Sequence, residues 1–167
     1  MPHRDIRLLT EPFNPGALIG PFTQANPGLG GVCTFVGEVR FDEGVEALEL
    51  THYEPLTLPG MHQLADRAFA RFTLMGLLMV HRVGVMRPGE PIVCVSAASL
   101  HRRDAIDAVD FCMDHLKSAA WFWKREKRAS EHGGEWHWIE PRGQDHADLA
   151  RWQMPRVGDN ETQHKNK

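Results

Sequence analysis

Residues 92–117 have the sequence IVCVSAASLHRRDAIDAVDFCMDHLK, and this stretch sets the expected architecture. Its beginning, 92–98, is a short apolar run typical of a buried strand. From Arg102 onward apolar residues recur at helical spacing, and Asp104 lies in the first turn, where the helix dipole favours an anion. A buried strand followed directly by an amphipathic helix predicts helices packed on a sheet. The predicted buried stripe of the helix comprises Ala105, Ile106, Val109, Cys112, Met113 and Leu116.

The flanking segments extend this pattern in both directions. Segments 32–40 and 45–53 are joined by turn-forming residues and should pair as an antiparallel hairpin. Residues 17–30 are rich in Pro, Gly and Asn and should be mainly loop, whereas 118–131 fits either helix or loop. The predicted fold class is α+β, with an antiparallel or mixed sheet and two main packed helices. Further strands are expected at 5–9, 77–85 and 136–139, and the other helix at 61–72.

Composition places the chain among ordinary globular proteins. Its 167 residues are 42% hydrophobic and 25% charged, which fits one domain with a substantial core. We assign residues 1–142 to that domain and 143–167 to a polar C-terminal tail that should be partly disordered. The formal net charge of −3 argues against binding nucleic acid through overall positive charge, although basic residues gather within 101–128.

The cysteines and the N-terminus indicate the compartment. Cys33, Cys94 and Cys112 are far apart and odd in number, which argues against a disulfide framework and for a reducing, cytoplasmic location. No signal peptide and no apolar run long enough to span a bilayer is evident, so we expect no membrane contact.

Common ligand-binding motifs are missing from the sequence. Gly28–Gly31 precedes a predicted strand instead of joining a strand to a helix, which argues against a dinucleotide fingerprint. There is no Walker sequence and no H-E-x-x-H, and the histidines lack the spacing of metal ligands. We therefore expect neither a metal site nor a bound cofactor.

Lys117 and Lys124 stand seven residues apart, with Trp121, Phe122 and Trp123 between them. If this run is helical, both amines project from one side, two turns apart. Apolar surroundings and a second cation disfavour the charged form of an amine, which makes it a better proton acceptor or nucleophile. The alternative is a solvated helix face, which is the commoner use of a lysine pair.

A second group of residues suits an anionic ligand. His101 and Arg102 stand where a buried strand passes into a helix, and free backbone N–H groups there can hold phosphate or carboxylate. Arg40 ends a predicted strand beside a turn, where its guanidinium can clamp a phosphate. The structural alternative at both positions is ordinary exposed polar surface.

Four blocks of sequence carry a family resemblance. They are Thr10–Gly16; Gly30–Arg40; His81–Gly84 with Pro88–Glu90 and Ser99–Arg102; and Leu116–Glu126 with Trp138–Glu140. In this order they resemble the catalytic (large) subunit family of molybdopterin synthase, over about Arg7 to Arg142. The resemblance implies an α/β-hammerhead fold and a sulfurtransferase of molybdenum cofactor biosynthesis, which converts cyclic pyranopterin monophosphate to molybdopterin by forming its dithiolene.

The resemblance also implies the partners. Sulfur would arrive as a thiocarboxylate on the C-terminal Gly-Gly of a small ubiquitin-like subunit, so no cofactor is needed. The large subunit would form a homodimer with one small subunit at each end, giving a heterotetramer.

By position, the resemblance implies a set of site residues. Lys117 would be the principal acid/base or covalent participant, and Lys124 would hold and polarise the substrate or the thiocarboxylate. Arg40, His101 and Arg102 would bind the pterin phosphate, with Arg40 from the neighbouring protomer. The other positions implied to line the site are Glu38, Val39, Arg125 and Glu126.

Two other functions fit parts of the sequence. The basic, tryptophan-bearing segment 117–128 is suited to stacking single-stranded nucleic acid, although the net charge argues against it. A non-catalytic scaffold of the same fold is the other alternative, but it would have no need for Arg40, His101, Lys117 and Lys124 together.

Overall fold

The computed structural model describes residues 2–130, 134–140 and 143–153. The strands of the described residues form two four-stranded sheets, in the orders β1-β4-β6-β2 and β5-β3-β7-β8. This arrangement confirms the predicted α+β class. The strands are β1 His3–Leu9, β2 Gly31–Glu38, β3 Val45–His52, β4 Gly76–Arg82, β5 Gly84–Met86, β6 Pro91–Ser99, β7 Phe122–Arg128 and β8 Glu135–Ile139. The helices are α1 Pro15–Ala25, α2 Glu54–Arg71, α3 Arg102–Ser118 and α4 Gly143–Ala150, followed by a 3-10 turn, Arg151–Gln153.

The first sheet is covered on both faces. Helices α2 and α3 pack on one face with the alternate side chains of β4 and β6, while Phe22 of α1 packs with Leu78, Val80 and Cys94 on the other. Two buried faces explain why β4 and β6 are mostly apolar and are buried along nearly all of their length. Within α3 the stripe is correct except at Ile106, which is 43% exposed, whereas Ala108 and Phe111 are buried.

The predicted hairpin of 32–40 with 45–53 is wrong. Strand β2 pairs antiparallel with β6 in the first sheet, and β3 pairs with β5 and β7 in the second. The turn-forming residues between them therefore connect two sheets. The predicted strand 77–85 is also divided, because Gly84 takes φ 95°, and β5 leaves for the second sheet.

Two stretches expected to lack regular structure are helical. Residues 15–25 form α1, which begins with Pro15 and is capped by the Asn14 side chain, whose Oδ1 accepts from Gly16 N at 2.9 Å. Residues 143–153, which the sequence placed in a polar tail, form α4 and the 3-10 turn, and Trp152 packs against the main core. The boundary at Arg142 and residues 154–167 of the tail lie outside the described residues.

Candidate active site

Lys117 and Lys124 lie on different elements. Helix α3 ends at Ser118, Ala119 is extended, and β7 begins at Phe122. The helical premise for the lysine pair was therefore wrong, because the run changes from helix to strand between the two amines. The connection is only 119–121, so the last turn of α3 and the start of β7 stay adjacent. Lys117 is exposed and Lys124 is half-buried.

Aromatic residues of the connection fix this junction. Trp121 lies across Gly60 of α2 so closely that a Cβ there would overlap the indole ring, and its carbonyl accepts from Tyr53 N at 3.1 Å. Phe122 stacks on His81 of β4, with ring centroids 4.2 Å apart and planes at 16°. Trp123 points to the opposite face of β7 and is 49% exposed. Two of the three expected aromatic residues thus form an apolar wall beside the lysines.

His81 joins the two sheets at this wall. Burial lowers the pKa of His81 to about 4, and its Nδ1 lies 3.0 Å from the carbonyl oxygen of Arg82, a contact in which Nδ1–H donates. The imidazole is therefore neutral at physiological pH. His81 was not among the predicted site residues, although a histidine followed by an arginine in an otherwise apolar run is a signal that the sequence offers.

The segment that follows β2 comes to the same junction. His81 is in register with Val93, and Val93 with Gly37, which places Glu38 and Arg40 at the β4 end that carries the His81–Phe122 stack. Val39 is buried with Leu50 and Ile139, the two residues that flank Lys124 in register. Glu38 and Arg40 are exposed. We call Glu38–Arg40, Lys117 and Lys124 the lysine end.

A buried arginine, Arg82, is linked to the lysine end by hydrogen bonds through the turn at 87–90. Arg82 Nη1 donates to Glu90 Oε2 at 3.2 Å, and the same oxygen accepts from Arg87 N at 2.8 Å. The pKa of Glu90 is lowered mainly because its carboxylate accepts the hydrogen bond from the Arg87 backbone N–H. The turn fixed in this way bonds to Val39 through both of that residue's backbone groups, Val39 N to Glu90 O and Gly89 N to Val39 O.

Arg125 and Glu126 do not share a face of β7. Arg125 pairs with Glu49 and lies over the rings of Trp136 and Trp138, at 4.8 and 5.5 Å, on the face away from Lys124. Glu126 lies on the Lys124 side and pairs with Arg128 at 2.9 Å. The structure therefore places Glu126 on the same face of β7 as Lys124 and Arg125 on the opposite face.

His101 and Arg102 lie at the other end of the first sheet. Gly31, at the start of β2, is in register with Ser99, and a Cβ on Gly31 would be 3.6 Å from the Cα of Arg102. With Gly30, Leu100 and Arg103 they line an open cavity of about 330 Å³ at the α3 N-terminus. Backbone N–H groups and two arginines there suit an anion, as the sequence predicted.

Within one chain the two groups are far apart. His101 precedes α3 and Lys117 is in its last turn, so roughly 24 Å of helix separates them. Gly31 and Glu38 are separated by roughly 23 Å of strand. One small phosphate ester cannot bridge such a span through direct hydrogen bonds. Arg40 therefore belongs with the lysines, and His101 and Arg102 form a separate group at the other end of the sheet.

Other reactive side chains contribute little here. Cys94 and Cys112 are buried, and burial raises the pKa of the Cys112 thiol to about 12. Among the described residues, no three His, Cys, Asp or Glu side chains are grouped as metal ligands would be.

No helix in the described part of the chain has both the length and the apolar character needed to cross a membrane.

Known proteins are similar to this chain in fold and in sequence. Residues 8–119 match the model of the MoaE protein family. The molybdopterin synthase catalytic subunit of Caulobacter vibrioides is 44% identical over 149 residues, which cover 88% of this chain and 96% of that protein. The solved structure of molybdopterin cofactor biosynthesis protein E from Burkholderia multivorans matches with a TM-score of 0.74 at 34% identity, covering 92% of this chain and 99% of its own.

A more distant structure shows the same fold. A chain in the complex of subunits 1 and 2 of molybdopterin-converting factor from Helicobacter pylori matches with a TM-score of 0.70 at 18% identity. That match covers 82% of this chain and 91% of the other.

Proposed function

The chain belongs to the MoaE protein family, and from this membership we propose that it is the catalytic subunit of a molybdopterin synthase, an enzyme of molybdenum cofactor biosynthesis. The observation that supports this most is that the last turn of α3, the start of β7 and the segment after β2, which carry Lys117, Lys124 and Arg40, lie at one end of the fold. Three cations beside an apolar wall suit an anionic substrate and an anionic sulfur donor.

The proposed reaction adds two sulfurs to cyclic pyranopterin monophosphate. Each sulfur comes from a thiocarboxylate at the C-terminal Gly-Gly of a small ubiquitin-like partner. It forms a C–S bond to a carbon of the pterin side chain as a C–O bond at that carbon breaks, and the oxygen leaves as water or stays on the phosphate. Water then cleaves the acyl C–S bond, so the partner's tail ends as a carboxylate. The Helicobacter pylori protein of the same fold forms a complex with a second subunit, which supports a small partner. The exposed Lys117 and the half-buried Lys124 leave this end accessible to such a tail.

Each site residue has a proposed role. Lys117 acts as the acid/base or covalent participant, and Lys124 holds and polarises the thiocarboxylate or substrate. Arg40 compensates the negative charge, while buried Val39 fixes its backbone. Glu38 and Glu126 border the site. The assignment of Arg125 to the substrate pocket stays a prediction, since its contacts are to Glu49 and the tryptophans of β8.

The phosphate-binding group is proposed to come from a second protomer. His101 and Arg102 lie roughly 24 Å from Lys117 along α3, so they serve the site of the neighbouring chain. A homodimer with two-fold symmetry then has two equivalent composite sites. With one small subunit at each end, the assembly is a heterotetramer.

A reconstituted assay tests this function. Purified protein, the thiocarboxylated small partner and cyclic pyranopterin monophosphate are combined, and dithiolene product is measured. We expect product only with the thiocarboxylate form, and none when the tail ends in an ordinary carboxylate. Failure of the wild-type protein to form product with the loaded partner would remove the proposal.

A further inference from the structure

We propose that the C-terminal segment 143–153 is a positioning element that holds the last turn of α3, and with it Lys117, in its working place. This inference rests on the proposed function, because it assigns a role toward the reacting lysine. The segment lies beyond residues 8–119, which match the family model. We call its residues Asp145, Arg151 and Trp152 the C-terminal clasp.

The clasp makes its main contact with Asp114, three residues before Lys117. The Oδ2 atom of Asp114 accepts from Arg151 Nε at 3.0 Å, from Arg151 Nη2 at 2.6 Å and from Trp152 Nε1 at 2.6 Å. The Asp114 side chain is only 11% exposed. A buried carboxylate near a helix C-terminus is unfavourable without donors, because it opposes the helix dipole and loses hydration. Docking of the clasp removes this cost.

A second contact lies on the other side of the lysine. Ser118 Oγ donates to the carbonyl oxygen of Asp145 in α4 at 2.9 Å. Side chains on both sides of Lys117, those of Asp114 and Ser118, thus bind one segment, while the lysine side chain itself is exposed. Helix ends fray, and α3 passes into extended backbone at Ala119 (φ −68°, ψ 130°). The clasp opposes this fraying where the reaction needs a fixed amine.

The clasp is itself anchored in the core. The Trp152 ring packs edge-on against Phe111 and Phe72, with centroids 5.4 and 6.2 Å apart. Arg151 also bonds to Asp110 at 2.8 Å, one turn before Asp114. The Trp152 packing gives the segment a fixed base from which to hold the last turn, whereas the Arg151–Asp110 pair is about half exposed and adds little. Asp110 is therefore a matched control, since it touches Arg151 without lying next to Lys117.

The test compares Arg151→Gln, Arg151→Lys and Asp110→Asn in the full-length protein. Amide hydrogen exchange is measured without substrate at residues 115–119, and kcat and KM are measured in the reconstituted assay at a temperature where all variants are folded. We expect Arg151→Gln to speed exchange at 115–119 and to lower kcat about tenfold, with KM for the pterin changed by less than about twofold. Arg151→Lys should recover part of the loss, and Asp110→Asn should behave as wild type.

Other outcomes overturn the inference. Unchanged exchange at 115–119 in Arg151→Gln, a loss of kcat equal to that of Asp110→Asn, or an effect confined to KM would each show that the clasp does not position the lysine. A wild-type protein that makes no product would instead refute the proposed function. The exchange measurement, which needs no substrate, would still decide whether the segment orders the last turn.

Discussion

Mixed dimers of two inactive variants should recover activity if the site is shared between protomers. The perturbation is co-assembly of Lys117→Ala and His101→Ala chains in equal amounts. Because roughly 24 Å of helix separates these residues in one chain, each composite site takes its lysine from one protomer and its histidine from the other. In a mixed dimer one site then carries both substitutions and the other carries neither.

The expected recovery follows from this arrangement. Random pairing makes about half of the dimers mixed, and each mixed dimer has one intact site of two, which gives about one quarter of wild-type activity. The assay is dithiolene formation with saturating thiocarboxylated partner, after the two variants are co-expressed with different tags. Each variant alone sets the baseline.

A second pair provides the matched control. Lys117 and Arg40 both belong to the lysine end, so mixing Lys117→Ala with Arg40→Ala damages both sites of a mixed dimer and should restore nothing. Equal recovery in the two pairs, or no recovery with His101→Ala, would refute the shared site.

Three further predictions concern stability and binding. The pKa of His81 falls from 6.5 when unfolded to about 4 when folded, so its burial favours folding above pH 6.5 and this contribution is lost as pH falls toward 4. Wild type should lose about 2 kcal/mol of unfolding free energy from this group between pH 7 and pH 5; His81→Phe keeps a ring on Phe122 and should lack that loss. The check is the unfolding free energy from urea titrations at the two pH values, and an equal loss in both proteins would contradict the prediction. Gly30→Ala should raise KM for the pterin and lower the unfolding free energy by about 1–3 kcal/mol. The added methyl group would overlap the Leu100 carbonyl, whose carbon atom would be only 2.7 Å away. Gly20→Ala, where nothing lies within 4 Å, is the control and should stabilise helix α1 by about 0.5–1 kcal/mol. Gly60→Ala should displace Trp121 and lower kcat even at a temperature where the variant is fully folded. An unchanged kcat would show that the wall does not position the lysines.

Much of the fold could be predicted from local pattern. The buried strand β6 and helix α3 follow from an apolar run and from helical spacing, and both occur where expected. Strand pairing could not be predicted in the same way. The partner of β2 is β6, which is distant in sequence, and not the strand that follows the next turn. Helix α1 was missed because its residues fall in a stretch rich in Pro, Gly and Asn, whereas Pro15 and Asn14 act as its start and cap.

The sequence named candidate residues for the site, but it could not give their arrangement in space. The tryptophan-bearing run after Lys117 carries good helix formers, but β3 and β8 offer hydrogen-bond partners on both sides and make 122–128 a strand. Such pairing between distant segments cannot be inferred from the residues within the run itself. His81 and Asp114 were missed for the same reason, because their importance depends on Phe122 and Arg151, which are distant in sequence.

The most direct measurement is a structure of the complex with the small partner, in which the position of its C-terminal glycine is determined. We predict that the terminal carbonyl group lies within about 3 Å of Lys117 Nζ or Lys124 Nζ of one protomer, with His101 and Arg102 of the neighbouring protomer facing the same cavity. A tail bound elsewhere, or two lysines that point away from each other into bulk water, would contradict the account.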